Sequence, residues 1–228
     1  MFSQNLRASI SVQHETIENT PLSHAIIQAK ISVADYGNLM RQMLEIHRSL
    51  EQQAKLAGLN EPLYAPSMVR TPTISADLTA LGFNEDTLSV LPETRQTINR
   101  MRQAAVENSM ALLGVFYVLE GSRMGSLMIV KPLGIALNRE LQPENGLDYH
   151  LAGARETPTR FRTWKSVLDE YIIARADQLA ATTAAANFMN DLVDIYRAIP
   201  ANPSVAIAQP AMHRFERTEP HLVNSRVG

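Results

Sequence analysis

The stretch Tyr117-Val-Leu-Glu-Gly121-Ser122-Arg123-Met124-Gly125-Ser126 lies inside an otherwise strong helix-forming run. Each interior glycine makes a helix roughly 1 kcal/mol less stable than alanine would, so two glycines four residues apart require an explanation. Gly121 and Gly125 share one helix face, where the missing Cβ atoms allow another group to approach the backbone closely. That group is either a flat ligand or a second helix.

The composition is that of an ordinary soluble globular protein of 228 residues, 45% of them hydrophobic. Its net charge of −2 gives no general attraction for nucleic acid or an anionic membrane surface. We expect no membrane span and find no basic-then-apolar signal pattern at the N-terminus, so a cytoplasmic location is the default prediction. No linker is evident before residue 200. One helical domain over residues 1–199 and a weakly ordered tail over 200–228 are therefore expected.

The chain contains no cysteine. This excludes disulfides, iron–sulfur clusters, thiolate-ligated haem, covalent c-type haem attachment and cysteine nucleophiles. Any metal must therefore be held by histidine, carboxylate, tyrosine or methionine side chains.

Apolar residues at three-to-four spacing predict an all-α fold. Helices are expected over 31–57, 92–103, 104–138 and 177–199, with another beginning near Thr157. Pro132 predicts a kink or break beyond the glycines, and Arg123 is expected on the outer face of its helix.

Near the N-terminus, His14 and Glu18 are four residues apart on a helix that Pro21 should stop, so their side chains share a face. A metal-ligating histidine usually donates its second ring N–H to a carboxylate or carbonyl, and Glu18 is placed to accept it. Exposed His/Glu pairs with this spacing are also common at helix ends. The spacing alone favours that purely structural role.

Taken together, segments 14–22, 36–51 and 117–125 resemble the bacterial haem oxygenases in order and separation, and the resemblance covers about residues 5–199. It implies a single-domain fold that holds haem between a proximal helix and a kinked distal helix. It assigns His14 as the axial iron ligand and Glu18 as the residue that orients it. Gly121 and Gly125 become the distal glycines whose backbone lies against the macrocycle.

The resemblance also implies the reaction. Haem, as substrate and cofactor together, would be oxidised by O2 at a meso carbon to biliverdin, carbon monoxide and ferrous iron. The electrons would come from an external reductase or a ferredoxin. The product would supply a phytochrome-type photoreceptor, or the reaction would serve to release iron.

Basic side chains hold the haem propionates in that family. Arg7 lies two helical turns before His14 on the same face, and Arg162 and Lys165 follow Phe161 where the family also places basic residues. Arginine and lysine both pair with carboxylates, arginine bidentately in favourable geometry. The alternative for each is a solvated helix face, which is the better explanation for Lys165, whereas Arg7 is the strongest of the three.

Three positions depart from the family pattern. Ser122 stands where the animal enzymes have an aspartate that organises waters near bound oxygen, Ser126 replaces a second glycine, and His47 stands where a tyrosine is usual. Ser122 and His47 could support a different water chain, because a hydroxyl and an imidazole both relay protons. Three functions therefore stay open: a haem-degrading monooxygenase, a haem carrier or sensor with the same pocket, and a helical interaction protein whose glycine face receives another helix.

Overall fold

The regular structure is helical in the computed structural model, which describes residues 1–201. This confirms the predicted all-α fold. The α-helices of that part of the chain are α1 Phe2–Glu18, α2 Pro21–Ile27, α3 Val33–Leu56, α4 Thr71–Ala80, α5 Pro92–Glu107, α6 Ala111–Ser122, α7 Ser126–Leu137, α8 Asp148–Leu151, α9 Thr157–Tyr171 and α10 Arg175–Ala198. Short 3-10 turns cover Pro66–Met68, Glu85–Thr87 and Arg123–Gly125. The tail predicted over 200–228 lies, from residue 202, outside the described residues.

The central helix is α6, in which every residue from 111 to 119 is buried. It packs on α10, and α10 in turn packs on α1 and α5. Gly114 makes the closest approach: a Cβ there would lie 2.0 Å from the carbonyl oxygen of Ala181. The core is therefore built around a contact between the backbones of α6 and α10.

Polar side chains fix where several helices begin. The Ser32 hydroxyl accepts the N–H of Asp35 at the start of α3, and the Thr20 hydroxyl accepts that of Ser23 at the start of α2. At the start of α4, a carboxylate from a different helix takes this role: Glu51 accepts the N–H groups of Arg70 and Thr71. Each contact satisfies backbone donors that an isolated helix would leave free.

The run predicted as one helix over 104–138 is broken twice. Asn108 separates α5 from α6, and its side-chain oxygen accepts the N–H of Met110. The second break is the 3-10 turn Arg123–Gly125, which follows the first glycine and ends at the second. Pro132, where a kink or break is predicted, lies inside α7 without ending it, so a break at this residue is wrong and a kink there stays a prediction. The low helix propensity of the glycines places the break before the proline.

Helices α6 and α7, with the 3-10 turn that joins them, form the segment Ala111–Leu137. By length and composition this segment is long and apolar enough to cross a membrane, whereas the sequence predicts no such segment. More than half of the relevant window is buried inside the protein. A mostly buried run of this kind is typical of the core helix of a globular protein.

Candidate functional site

Helix α1 is linked to the α6–α7 segment directly near its beginning and through α2 near its end. The N–H and hydroxyl of Ser3 donate to Asp169 of α9, both at 2.7 Å, and the Tyr117 hydroxyl donates to the Ser3 carbonyl at 3.5 Å. At the other end, the Ser23 hydroxyl of α2 donates to the carbonyl of Ile17, and α2 packs against α7. The two segments therefore run in the same direction. The last turns of α1 come level with the region of the second glycine and the start of α7.

Arg7 of α1 is close enough to Tyr117 of α6 for its charge to affect the pKa of the Tyr117 hydroxyl. Burial raises the pKa of Tyr117, and the charge of Arg7 partly offsets that rise, so the guanidinium lies near the Tyr117 hydroxyl. His14 shares this face because it follows two helical turns after Arg7. The face of α1 that carries Leu6 is buried in the core instead.

His14 and Glu18 stand side by side on the exposed surface of α1. The Nδ1 atom of His14 is 3.4 Å from a carboxylate oxygen of Glu18, and the two side chains are 56% and 64% exposed. The other ring nitrogen, Nε2, has no hydrogen-bond partner among residues 1–201. His14 thus presents one nitrogen to a carboxylate and leaves the other available to a ligand.

The two glycines have different surroundings. The backbone of Gly125 is right-handed, with φ −81°, so a positive φ does not explain the glycine. A Cβ on Gly121 would lie 3.3 Å from the ring of Phe161 in α9, whereas a Cβ on Gly125 would meet nothing within 4 Å. Gly121 therefore packs against another helix, and Gly125 borders open space.

The open space at Gly125 continues along an apolar surface. Met124, Leu127 and Met128 are all exposed, although their neighbours Arg123 and Ser126 are buried. Uncovered apolar side chains beside an open glycine form a surface on which a flat apolar ligand could lie.

Two cations lie beside one aromatic pair at the edge of this surface. The rings of Tyr117 and Phe161 are 5.3 Å apart, and the Nζ atom of Lys165 is 5.4 Å from the centre of the Phe161 ring. Arg7 approaches Tyr117 from α1. Arg162 is exposed, and its side chain forms no hydrogen bond or ion pair within the described part of the chain. The structure thus brings Arg7 and Lys165 together and leaves Arg162 free.

The two serines and His47 are not brought together. Ser122 is exposed and donates its hydroxyl to the Leu119 carbonyl of its own helix at 2.8 Å. Ser126 is buried, so it does not border the open surface. His47 is buried on α3 with Nε2 3.2 Å from the Tyr149 hydroxyl. Burial, aided by the charges of Arg70 and Arg123, lowers the pKa of His47 to about 3, so the ring is uncharged at neutral pH.

The expected outward position of Arg123 is wrong: the residue is only 3% exposed. Its guanidinium donates to the carbonyl oxygens of Tyr149 and Ala152, at 3.4 and 2.6 Å. These acceptors lie 26 and 29 residues further along the chain. Nothing local to the glycine stretch could have indicated them.

No group of three or more His, Asp or Glu side chains is placed to hold a metal ion among residues 1–201. A bare metal ion would find only His14 and Glu18 at the open surface. Porphyrin iron brings four nitrogen ligands of its own and requires one axial histidine from the protein. The residues present therefore fit haem better than a free metal ion.

Comparison with known proteins agrees with this geometry. The family model described as Heme oxygenase matches residues 1–192. The chain belongs to the haem oxygenase family. None of the curated proteins compared with it gives a significant match.

The solved structures show the haem oxygenase fold. The haem oxygenase of Leptospira interrogans superposes with a TM-score of 0.77 at 16% identity, over 86% of this chain and 98% of that one. Haem oxygenase-2 of Synechocystis, solved with haem and NO, superposes with a TM-score of 0.77 at 18% identity. The match covers 86% of this chain and 83% of that one. A Shewanella denitrificans domain of unknown function with a haem oxygenase-like fold superposes with a TM-score of 0.67 at 15% identity. The match covers 85% of this chain and 89% of that one.

Proposed function

We propose that this haem oxygenase family member cleaves haem oxidatively to biliverdin, carbon monoxide and ferrous iron, using O2 and electrons from an external reductase or ferredoxin in the cytoplasm. The observation that supports this most directly is on α1. His14 is 3.4 Å from its carboxylate neighbour Glu18 and follows Arg7 by two helical turns, and Arg7 lies near Tyr117 of the segment that also carries the open glycine, Gly125. The family membership supplies the reaction class.

His14 is proposed as the axial ligand of the substrate iron, through Nε2. Glu18 would accept the Nδ1 proton, which fixes the tautomer and makes the ring a better donor to iron. The 3.4 Å separation between the two groups supports this assignment. The exposure of both side chains is consistent with a site that a large ligand covers when it binds.

Arg7, Lys165 and Arg162 are proposed to bind the propionates. Arg7 and Lys165 lie at the same aromatic pair and can hold carboxylates together, and Arg162 is free to turn toward them. Paired carboxylate–cation contacts would fix which edge of the macrocycle faces solvent.

Gly121 and Gly125 are proposed to border the macrocycle on its distal side. Gly125 needs no rearrangement, because its Cα faces open space. Contact with Gly121 requires Phe161 to move, and Phe161 also lines a cavity of about 360 Å³ that gives its ring room. The absence of Cβ atoms would leave space for O2 between the backbone and the macrocycle.

Ser122 and His47 are proposed to support proton supply, and Ser126 to contribute to haem binding. The Ser122 hydroxyl would have to release the Leu119 carbonyl before donating to a bound molecule or a water. His47, uncharged at neutral pH, would pass a proton by exchanging its hydrogen bond with Tyr149, and the Glu51 carboxylate lies 3.8 Å from its other ring nitrogen, Nδ1. Buried Ser126 would act through the backbone of the distal turn.

The second candidate is a haem carrier or sensor that does not degrade haem. The self-satisfied hydroxyl of Ser122 favours it, because no acidic side chain follows Gly121 to organise water. The neighbouring carboxylate, Glu120, is paired with Arg70 at 3.4 Å. For an oxygenase, the product would suit a phytochrome-type photoreceptor or the reaction would release iron; a carrier would deliver intact haem.

Haem titration followed by a single turnover tests both functions. Wild-type protein should shift the Soret band of haem; His14→Ala should abolish that shift, and His24→Ala, on exposed α2 surface, should not. With ascorbate or a reductase, an oxygenase loses the Soret band while biliverdin absorbance and carbon monoxide appear. A Soret band that persists through this treatment would instead identify a carrier.

A further inference from the structure

Arg123 is linked to two parts of the fold at once. Its carbonyl accepts the N–H of Ser126, the bond that closes the 3-10 turn between α6 and α7. Its guanidinium donates to the carbonyls of Tyr149 and Ala152, at the end of α8. The residue that shapes the break in the distal segment is therefore also the residue that attaches the break to a neighbouring element.

The short helix α8 is itself firmly held. The Asp77 carboxylate of α4 accepts the N–H groups of Asp148 and Tyr149, at 2.9 and 2.7 Å. The Tyr149 hydroxyl contacts His47 of α3. A carboxylate thus holds the beginning of α8 and a guanidinium holds its end, so Arg123 is attached to a fixed part of the core.

Burying this guanidinium costs free energy that its hydrogen bonds do not clearly recover, so stability alone does not explain its position. Arg123 is almost fully buried, and no carboxylate lies within ion-pair distance of it among the described residues. Its Nε atom has no hydrogen-bond partner there. A buried arginine satisfied mainly by backbone carbonyls gains little over an apolar residue of similar size. What the two bonds do provide is a defined direction for the turn.

We propose that Arg123 is a positioning residue that fixes the angle between α6 and α7, and with it the place of Gly125 and the exposed Met124 and Met128 opposite α1. Arg123 contacts none of the proposed haem-binding side chains. It acts through the backbone of the turn that it both forms and anchors. The use of that opening by haem rests on the proposed function, whereas the anchor is a property of the protein alone.

Hydrogen–deuterium exchange of the protein without haem tests the anchor. Arg123→Met removes both donated bonds and should accelerate exchange in peptides covering 121–128 and 148–153 by about tenfold. Arg123→Lys keeps the charge but offers a point donor instead of a fork, so an intermediate increase is expected. Arg155→Met, on the exposed surface of the loop after α8, is the matched control and should exchange like wild type.

The proposal is overturned if Arg123→Met retains a cooperative thermal transition and exchanges like wild type over 121–128. If that variant does not fold, Arg123→Lys decides the matter, and wild-type exchange in it overturns the proposal equally. In the carbon monoxide complex of reduced haem-bound protein, Arg123→Met should shift the C–O stretching frequency and Arg155→Met should not. Failure of wild-type protein to bind haem would refute the proposed function and leave the exchange result to decide the anchor.

Discussion

Phe161 covers Gly121: the ring of this α9 residue lies 3.3 Å from where a Cβ on Gly121 would be. Gly125, four residues later, has nothing within 4 Å of the same position. One glycine therefore makes room for a helix, and the other leaves room for a group outside the fold. The packing explanation therefore applies to Gly121, the ligand explanation stays a prediction for Gly125, and mutation can separate them.

Gly125→Ala should leave the folded protein at least as stable as wild type and weaken haem binding. The new Cβ contacts nothing, and alanine favours helical backbone by up to about 1 kcal/mol. In the proposed complex, that Cβ would occupy space needed between the backbone and the macrocycle. Urea unfolding and haem titration measure the two effects separately.

Gly121→Ala is the comparison for this experiment. Its Cβ would require the Phe161 ring to give way by a few tenths of an ångström, which a half-buried side chain beside a cavity can do. We expect a folded protein. Haem affinity that is unchanged in Gly125→Ala would contradict the placement of the macrocycle at this glycine.

Gly114→Ala should be the most destabilising of the glycine substitutions. Its Cβ would lie 2.0 Å from the Ala181 carbonyl oxygen and 2.9 Å from the Ala185 nitrogen, so α6 and α10 would have to separate. Overpacking of this kind costs roughly 1–3 kcal/mol, and more when only backbone can move. Thermal unfolding of Gly114→Ala beside Gly125→Ala checks this; equal melting temperatures would show that the two helices separate readily.

Local patterns predicted the features that depend on local geometry. The helix over 31–57 is found as Val33–Leu56, because Ser32 caps it and its apolar stripe is long. The adjacency of His14 and Glu18 follows from their spacing on one helix. The all-α fold follows from the same periodicity.

Features set by distant partners could not be predicted in this way. Which glycine packs depends on Phe161, forty residues after Gly121, and the burial of Arg123 depends on carbonyls in the loop after α8. Pro132 is the stronger local signal for a kink or break, whereas the partners of Arg123 lie far along the chain and leave no local signal.

Glu18→Gln should lower haem affinity by about 10–100-fold without loss of fold. The amide oxygen is a weaker acceptor than a carboxylate for the Nδ1 proton, so His14 becomes a poorer iron ligand. Glu15→Gln is the matched control, since Glu15 is exposed on the same helix and not paired with His14. Equal haem affinities in the two variants would show that the His14–Glu18 pair has only a structural role on the surface of α1 and does not support iron binding.

Arg7→Met and Lys165→Met should each weaken binding of haem but not of haem dimethyl ester. Both residues lie at the Tyr117–Phe161 pair, and the ester removes the carboxylates that they are proposed to hold. Titration with both porphyrins separates a charge effect from a packing effect. Equal losses for haem and the ester would show that these side chains act by packing alone.

The buried histidines should make the protein less stable as the pH falls below about 6.5. Burial, first, and the charges of Arg70 and Arg123 lower the pKa of His47 from 6.5 to about 3, and burial does the same for His150. Between these values the unfolded chain binds a proton that the folded protein excludes. Each such histidine therefore lowers the free energy of unfolding by about 1.4 kcal/mol per pH unit of acidification.

Two buried carboxyl groups oppose this trend over a narrower range. Burial raises the pKa of Asp77 and of Asp191 from 3.8 to about 6, so the folded protein binds more protons than the unfolded chain between those values and gains stability on acidification. The histidine windows are wider and begin at higher pH. With two groups of each kind, the opposing slopes cancel between about pH 6 and 3.8, so these groups give a net loss of stability between pH 6.5 and 6 and again below 3.8.

His47→Gln isolates one of these contributions, because glutamine can still hydrogen-bond the Tyr149 hydroxyl but does not titrate. The variant should lose less stability on acidification than wild type. Between pH 6.5 and 4, the slope of its free energy of unfolding against pH should be smaller by the contribution of about one proton. In the double variant His47→Gln/His150→Gln, the slope of the free energy of unfolding against pH should be smaller than in wild type by two such increments. Urea unfolding at a series of pH values measures the slope directly. A slope in His47→Gln equal to that of wild type would show that the folded and unfolded proteins bind a proton at His47 equally, so that burial does not lower its pKa.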